Sequence, residues 1–525
     1  MAAPTVLSFY RWQQGKSRRA SGGSFSWAAT LLRQIAAFAA GQARPTMRAS
    51  REPARARQMR LPSMTTHSFR PASQAQAAAR RQSATALQAL LLRMHFYIGL
   101  FVGPFILVAA LTGTLYVLTP QIESHLYATQ LRNASQGAAQ PLAAQVQAAQ
   151  AFLGPQARLF AVRPAKAPGW NTRVMFSQPG LGDSESRAIF VDPVSLQVRG
   201  DLIVYGTSGV LPLRTTLDYL HRNLMLGELG RNYSELAASW LWLGALGGVW
   251  LWWRARARGR VQAARPLTAR RLHALVGLWI VIGLMFFSAT GLTWSRWAGE
   301  RVNLMRAQLG WITPSVSTQL QPGAPAMSMG EHADHMAAHG MAMAMPAVDD
   351  PARFDMVQSI ARAGGIDAAE IEIRPPRAAQ QAWVVREVDR SWPTQVDTVA
   401  IDADRMRITS RADFASFPLI AKLIRWGVDA HMGVLFGVAN QILMAAFGIA
   451  LTGLIALGYL MWWRRRPAAG ASLAPLSAAF MQMSLPQRAS VLLLALLLGW
   501  NLPLMGASLL LFLLVDVIRY RRAGR

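Results

Sequence analysis

His95-Phe-Tyr-Ile-Gly99-Leu-Phe-Val-Gly103 opens an apolar run that stays free of charge through Leu111-Thr112-Gly113 and on to Leu118. A stretch of this length without Asp, Glu, Lys or Arg is enough to cross a hydrocarbon core of about 30 Å as a helix. Three more apolar blocks follow, at 234–253, which carries the single charge Glu235 at its start, and at 272–294 and 431–463, which carry none. Together with 94–118 they predict four membrane helices. A further apolar segment, 490–518, is broken by Asn501-Leu-Pro503 and reads as one long helix or a broken hairpin.

The charge of the chain follows the same division. Fifteen Lys and Arg against one acidic residue precede His95, and the loop 254–271 has seven Arg and no acid. By contrast, 119–231 balances ten basic residues with seven acidic ones. The positive-inside rule therefore places 1–93, a basic and disordered leader, in the cytoplasm with the loops 254–271 and 464–489 and the tail 519–525, and exports 119–233 and 295–430. The net charge of +28 is accounted for by orientation in a lipid bilayer, and nucleic-acid binding is not expected. The absence of cysteine removes disulfides, thiolate metal sites, iron–sulfur ligation and c-type haem attachment. The exported segments are then expected to hold together by small cores of their own.

The chain repeats itself. A shift of 178 residues superposes His95 on His273, Gly99 on Gly277, Thr112 on Thr290 and Gly113 on Gly291; a shift of 210 superposes Asp192 on Asp402, His221 on His431, Gly227 on Gly437 and Trp252-Trp253-Arg254 on Trp462-Trp463-Arg464. Each copy reads as helix, exported α+β module, helix. The modules fall at 140–200 and 351–411, each a helix followed by short alternating strands. Two helices per copy make the repeats parallel, about an axis along the membrane normal. The expected fold is an α-helical integral membrane protein: two parallel two-helix repeats forming a four-helix bundle, with a C-terminal apolar segment and two small α+β modules outside the membrane. The difference between the two shifts is assigned to an insert at 326–345.

That symmetry gives the histidines chemical meaning. It sets His95 opposite His273 near one face of the membrane and His221 opposite His431 near the other. Facing neutral imidazoles across a helical bundle are the axial ligands of b-type haem, and two pairs make two haems. One isolated histidine at a helix end is better explained as an interfacial side chain; four at repeated positions are not. His221 and His431 each precede their Trp-Trp-Arg by 31 residues, about 46 Å if the helix is continuous, so the outer pair is expected at or above the membrane surface. The insert adds His332, His335 and His339 with Met329, Met336 and Met341, a soft donor set that suits copper; a solvated linker is the plainer reading of its low complexity.

His-Phe-Tyr-x-Gly-Leu-Phe-Val-Gly-Pro-Phe with Leu-Thr-Gly, the turn Phe-Val-Asp192-Pro with its partner Ala-Ile-Asp402, and the terminal Trp-Trp-Arg resemble the PepSY-associated transmembrane helix family, of the iron-regulated inner-membrane protein and ferric-siderophore reductase type. The resemblance covers roughly 90–520 and both repeats. It implies PepSY-like exported modules, haem b on His95, His221, His273 and His431, and a transmembrane ferric reductase of the bacterial inner membrane. The implied partners are a periplasmic ferric siderophore or other metal chelate and a quinol or flavin donor. Asp402 is followed by Ala403 where the family pattern has proline. A cupric reductase using the insert, and a non-enzymatic scaffold or sensor, remain the alternatives.

Overall fold

The computed structural model describes residues 72–523 apart from 155–157, 183, 207–208, 258–267, 321–350 and 467–474, with side chains from Thr85 onward. Of the leader 1–93, the residues before Ala72 lie outside the described residues, as does the Met/His-rich insert at 326–345; the rest, 72–93, is helical and runs into the first span where disorder was expected. Five helical stretches are long and apolar enough to cross a membrane: Thr85–Val117, Gly227–Ala257, Ala269–Thr293, Gly437–Arg464 and Pro503–Arg522. The first runs as α1 (Ala72–Tyr97), a single π-helical turn Ile98–Val102 and α2 (Gly103–Val117).

Outside these spans, α3 (Leu142–Leu153) precedes four strands, β1 (Arg158–Arg163), β2 (Thr172–Ser177), β3 (Glu185–Val191) and β4 (Val198–Tyr205). There follow α4 (Pro212–Asn223), α5 (Gly227–Ala257) and α6 (Ala269–Thr293). The second copy gives α7 (Arg353–Ala363), β5 (Ile371–Arg374), β6 (Trp383–Glu387), β7 (Thr398–Asp402), β8 (Arg407–Ala412), α8 (Leu419–His431) and α9 (Gly437–Arg464). The offset between copies is 178 at the short helices that begin at Thr119 and Trp297, and close to 210 from α3 and α7 onward. The extra residues therefore enter between Gln308 and Arg353.

The two α+β units share their main core, where cores of their own were expected, and each keeps only a smaller cluster to itself. Their strands form one eight-stranded antiparallel sheet in the order β4-β3-β2-β1-β5-β6-β7-β8, fused where Val162 pairs with Ile373. Alternation along the strands explains the fusion. In β5, Ile371 and Ile373 point to a face shared with Val162, Val174 and Val385, and α3 and α7 close that face with Val146, Phe354 and Val357. A four-stranded sheet with a single helix would leave β1 and β5 as open edges, and pairing them removes both. Asp355 of α7 stitches the units further, accepting from the backbone N–H of Leu142 and Ala143 at 2.7 and 2.9 Å to cap α3.

The other face of the seam is charged. Glu372, buried, takes Arg163 at 2.6 Å, Arg374 at 2.7 Å and Arg386 at 2.6 Å. Its pKa stands well below the ordinary glutamate value: burial alone would raise it, and the Arg386, Arg163 and Arg374 guanidiniums outweigh that. Nearby Arg173 is pushed down to about 10 by burial and by Arg163. Asp192 and Asp402 hold equivalent turns, accepting from the N–H of Val194 and of Asp404 at 2.9 and 3.1 Å. Ala403 in place of proline thus leaves the turn intact.

Within the spans, α2 packs on α5 and α9, and α6 packs on α5 and α9. Ile98, Val102, Ile106, Ala237, Trp240, Ile280, Leu284 and Leu451 meet between them. The C-terminal segment turns back on itself: α10 (Leu485–Asn501) and α11 (Pro503–Ala523) are joined at Leu502, and a Cβ on Gly499 would lie 3.2 Å from the Cα of Gly506. Residues seven apart in a continuous helix would be about 10 Å apart, so the two helices form an antiparallel hairpin. It docks on α5, where Trp240 donates its indole N–H to Ser508 at 2.9 Å.

Candidate cofactor site: two facing histidine pairs

His95 ends α1, one turn before the π-helical residues, and His273 lies in the first turns of α6. Their ring centroids are 6.3 Å apart with the planes at 86°. Each ring is hung from the facing helix of its own repeat. His95 Nδ1 meets the carbonyl of Gly244 at 3.0 Å, and His273 Nδ1 that of Leu454 at 2.9 Å. Gly244 and Leu454 are themselves 210 residues apart, so the two contacts are one interaction made twice. Small residues make room beside them: a Cβ at Gly248 would lie 3.2 Å from His95 Cε1, and one at Gly458 3.7 Å from His273 Cε1.

The second pair repeats this arrangement at another level. The rings of His221 and His431 are again 6.3 Å apart, at 64°. Here the Nδ1 partners are side chains, Thr112 Oγ1 at 3.1 Å for His221 and Thr290 Oγ1 at 2.6 Å for His431. Gly113 lets the ring approach, since a Cβ there would stand 3.1 Å from His221 Cε1. Both first-shift helices run from one pair to the other, which makes them parallel. His95 and Thr112, like His273 and Thr290, are 17 residues apart, about 26 Å of helix.

The helix expected to run unbroken from each of these histidines to its Trp-Trp-Arg is broken. His221 and His431 are not on the spanning helices but on α4 and α8, which are set off by sharp reversals. Leu224, Met225 and Gly227 have φ of 54°, 59° and 58°, and Gly433 and Gly437 have φ of 74° and 57°. These left-handed residues end one helix and start another in a new direction. The short helices are laid back against α2 and α6, at the level of Thr112 and Thr290, near the ends of those helices. Tyr233 of α5 secures the fold-back by donating its hydroxyl to the carbonyl of His221.

The two-fold is not perfect around this pair. Phe286 and Phe287 pack against His431 at 6.2 and 5.3 Å, and Phe447 lies behind Phe287 at 5.9 Å. The corresponding positions of the first repeat are Val108, Ala109 and Ala237.

The spacing has a chemical interpretation. Imidazole nitrogens bond first-row metals at about 2.0 Å and stand about 1.15 Å from their ring centres, so two imidazoles on opposite sides of one metal have centroids about 6.3 Å apart. With Nδ1 engaged on all four rings, Nε2 is the nitrogen left to coordinate. Among the described residues no group of three or more His, Cys, Asp or Glu is gathered as a metal site. Each pair can therefore offer two imidazole donors, the Nε2 atoms, to a group that brings donors of its own.

All four histidines read from the repeat are thus brought together in the expected pairs. His332, His335, His339, Met329, Met336 and Met341 fall outside the described residues. The roles of the Gly244 and Leu454 carbonyls and of Gly248 and Gly458 carried no mark in the sequence beyond their 210-residue offset. Thr112 and Thr290 were visible as repeated positions without an assigned function.

The family model described as PepSY-associated TM region matches residues 92–465, which includes both histidine pairs and the fused sheet. A search of curated proteins gives no match.

Proposed function

The chain belongs to the family of PepSY-associated TM regions, and we propose that it is a haem-bearing oxidoreductase of the bacterial inner membrane that passes electrons outward to periplasmic ferric iron in a siderophore or similar chelate. The observation that carries the reading is the duplicated pair of imidazoles at 6.3 Å, each with its Nδ1 held. Haem b fits this donor set because the macrocycle brings its own four equatorial nitrogens and asks the protein only for two axial ones; when bound it supplies a one-electron couple with no free coordination position.

The chain's own part is to hold and shield. His95 with His273, on a four-helix bundle made of α1–α2, α5, α6 and α9, and His221 with His431, on α4 and α8 laid against it, would each hold one haem. The Gly244 and Leu454 carbonyls and the Thr112 and Thr290 hydroxyls orient the rings. Phe286, Phe287 and Phe447 keep water from one side of the second pair. The arginine-rich leader and the 254–271 loop put the His95 end in the cytoplasm, where a quinol or flavin would deliver electrons, and the sheet in the periplasm. Iron release follows from reduction, because Fe(II) attracts hard oxygen donors less strongly than Fe(III) does.

The test is reduction of a ferric siderophore by the purified, pre-reduced protein, followed against a His221→Ala, His431→Ala variant that lacks the second pair. Transfer in the wild type and its loss in the variant are expected; equal rates would contradict the reading. The Met/His-rich sequence at 326–345 favours Cu(II) as a second substrate, with the same electron path.

A further inference from the structure

The two histidine pairs are alike in spacing but differ in what holds them. On the cytoplasmic side as proposed above, both Nδ1 atoms face main-chain carbonyls, of Gly244 and Leu454. On the periplasmic side both face threonine hydroxyls, and His221 has the Ala109 carbonyl beside it as a second acceptor, so it is His431 that depends on its hydroxyl alone. A hydroxyl has one proton to give. Thr112 gives its proton to the carbonyl of Val108 at 2.7 Å, with Ala109 O at 3.2 Å sharing it, and Thr290 gives its own to Phe286 O at 2.8 Å. Toward the histidines both hydroxyls can only accept. A ring that donates to such a hydroxyl carries its proton on Nδ1 and keeps the Nε2 lone pair.

The two kinds of acceptor are unequal. Amide resonance places more negative charge on a carbonyl oxygen than an alcohol oxygen bears. The stronger acceptor draws the Nδ1 proton further, makes the imidazole a more basic ligand and stabilises the oxidised metal. The carbonyls of Gly244 and Leu454 sit inside α5 and α9 and cannot rotate away; a threonine hydroxyl can.

We propose that Thr112 and Thr290 are positioning residues that fix the tautomer of the outer pair and, as the weaker acceptors, set the outer centre at the more positive potential, so that electrons run downhill from the His95/His273 pair to the His221/His431 pair. The inference rests on the haem reading. In the step, one electron leaves the inner iron, which goes from Fe(II) to Fe(III), and reduces the outer iron from Fe(III) to Fe(II). No bond to a ligand breaks and no proton moves. A quinol or flavin returns the inner iron to Fe(II).

The experiment is an optical redox titration of the full-length purified protein as wild type, as Thr112→Val with Thr290→Val, and as Thr112→Ser with Thr290→Ser. Valine keeps the shape and removes the acceptor; serine restores it. The wild type is expected to titrate in two one-electron waves separated by at least a tenfold ratio in equilibrium constant, which is 59 mV. In the valine variant the more positive wave moves further positive while the other stays, and serine returns it. Loss of one haem in the valine variant with retention in the serine variant also supports the positioning role, and the potential order is then read from Thr290→Val alone. Two bound haems whose waves ignore both substitutions, or movement of the more negative wave, would overturn the inference. A preparation with no Soret band overturns the haem reading instead.

Discussion

His95 Nδ1 is bound to the carbonyl of Gly244, and 210 residues after Gly244 the carbonyl of Leu454 binds His273 in the same way. Each repeat thus supplies both halves of the contact: its first helix carries the histidine, and its second helix holds the ring. The glycines one turn further on, Gly248 and Gly458, face the same rings at unequal distances.

That inequality separates two otherwise equivalent substitutions. A Cβ at Gly248 would be 3.2 Å from His95 Cε1, closer than carbon atoms normally rest, whereas one at Gly458 would be 3.7 Å from His273, an ordinary contact. Gly248→Ala should displace the His95 ring and lower haem content or broaden the inner haem's absorbance. Gly458→Ala should leave both unchanged. The pyridine haemochrome of the two purified variants makes the comparison.

The fold-back that brings His221 to Thr112 depends on close backbone contact. A Cβ on Gly230 would overlap the backbone carbonyl of Asn223, at the junction of α4 and α5, where no side-chain motion can relieve it. Gly230→Ala should cost about 1–3 kcal/mol of stability by overpacking and selectively remove the outer haem. Retention of both haems at wild-type thermal stability would contradict this account of the junction.

Much of this site is readable in the sequence because the repeat marks it: His95, His273, His221 and His431 stand at fixed shifts, and so do Thr112 and Thr290. The height of the outer pair is hidden, because the reversal at Leu224 and Met225 uses non-glycine residues in the left-handed region, and neither type announces such a turn. The fused sheet is hidden for another reason. Ile371 and Ile373 signal a strand with one buried face, but the partner of that strand, β1, lies more than 200 residues earlier, and alternation carries no information about which edge will be covered.

The seam of that sheet predicts a pH dependence. Glu372 has a folded pKa depressed by Arg386, Arg163 and Arg374, so its stabilisation is fully present above the unfolded value of about 4.3 and is lost as pH falls toward the lower folded value. Glu372→Gln should destabilise the eight-stranded sheet near pH 7 by about 3–5 kcal/mol, the cost of leaving buried guanidiniums without their carboxylate. The gap between wild type and variant should close as the pH is taken below 4. Thermal melts of the eight-stranded sheet between pH 3 and 7 measure both effects; a pH-independent gap would contradict the assignment.

The Met/His-rich stretch enters between elements that are otherwise equivalent in the two repeats, so its removal should spare them. Deleting 326–345 is expected to reduce copper retained by the purified protein while leaving haem content and ferric-siderophore reduction intact. Copper and iron by mass spectrometry, with the reduction assay on the same samples, check it.

The central claim is that facing imidazoles at 6.3 Å hold two haems, and the absorption spectrum of the purified full-length protein tests it most directly. The account predicts a Soret band with a sharp α band on reduction, about half of which is lost in His95→Ala and the other half in His431→Ala. A protein with no Soret band, or a spectrum untouched by both substitutions, would contradict it.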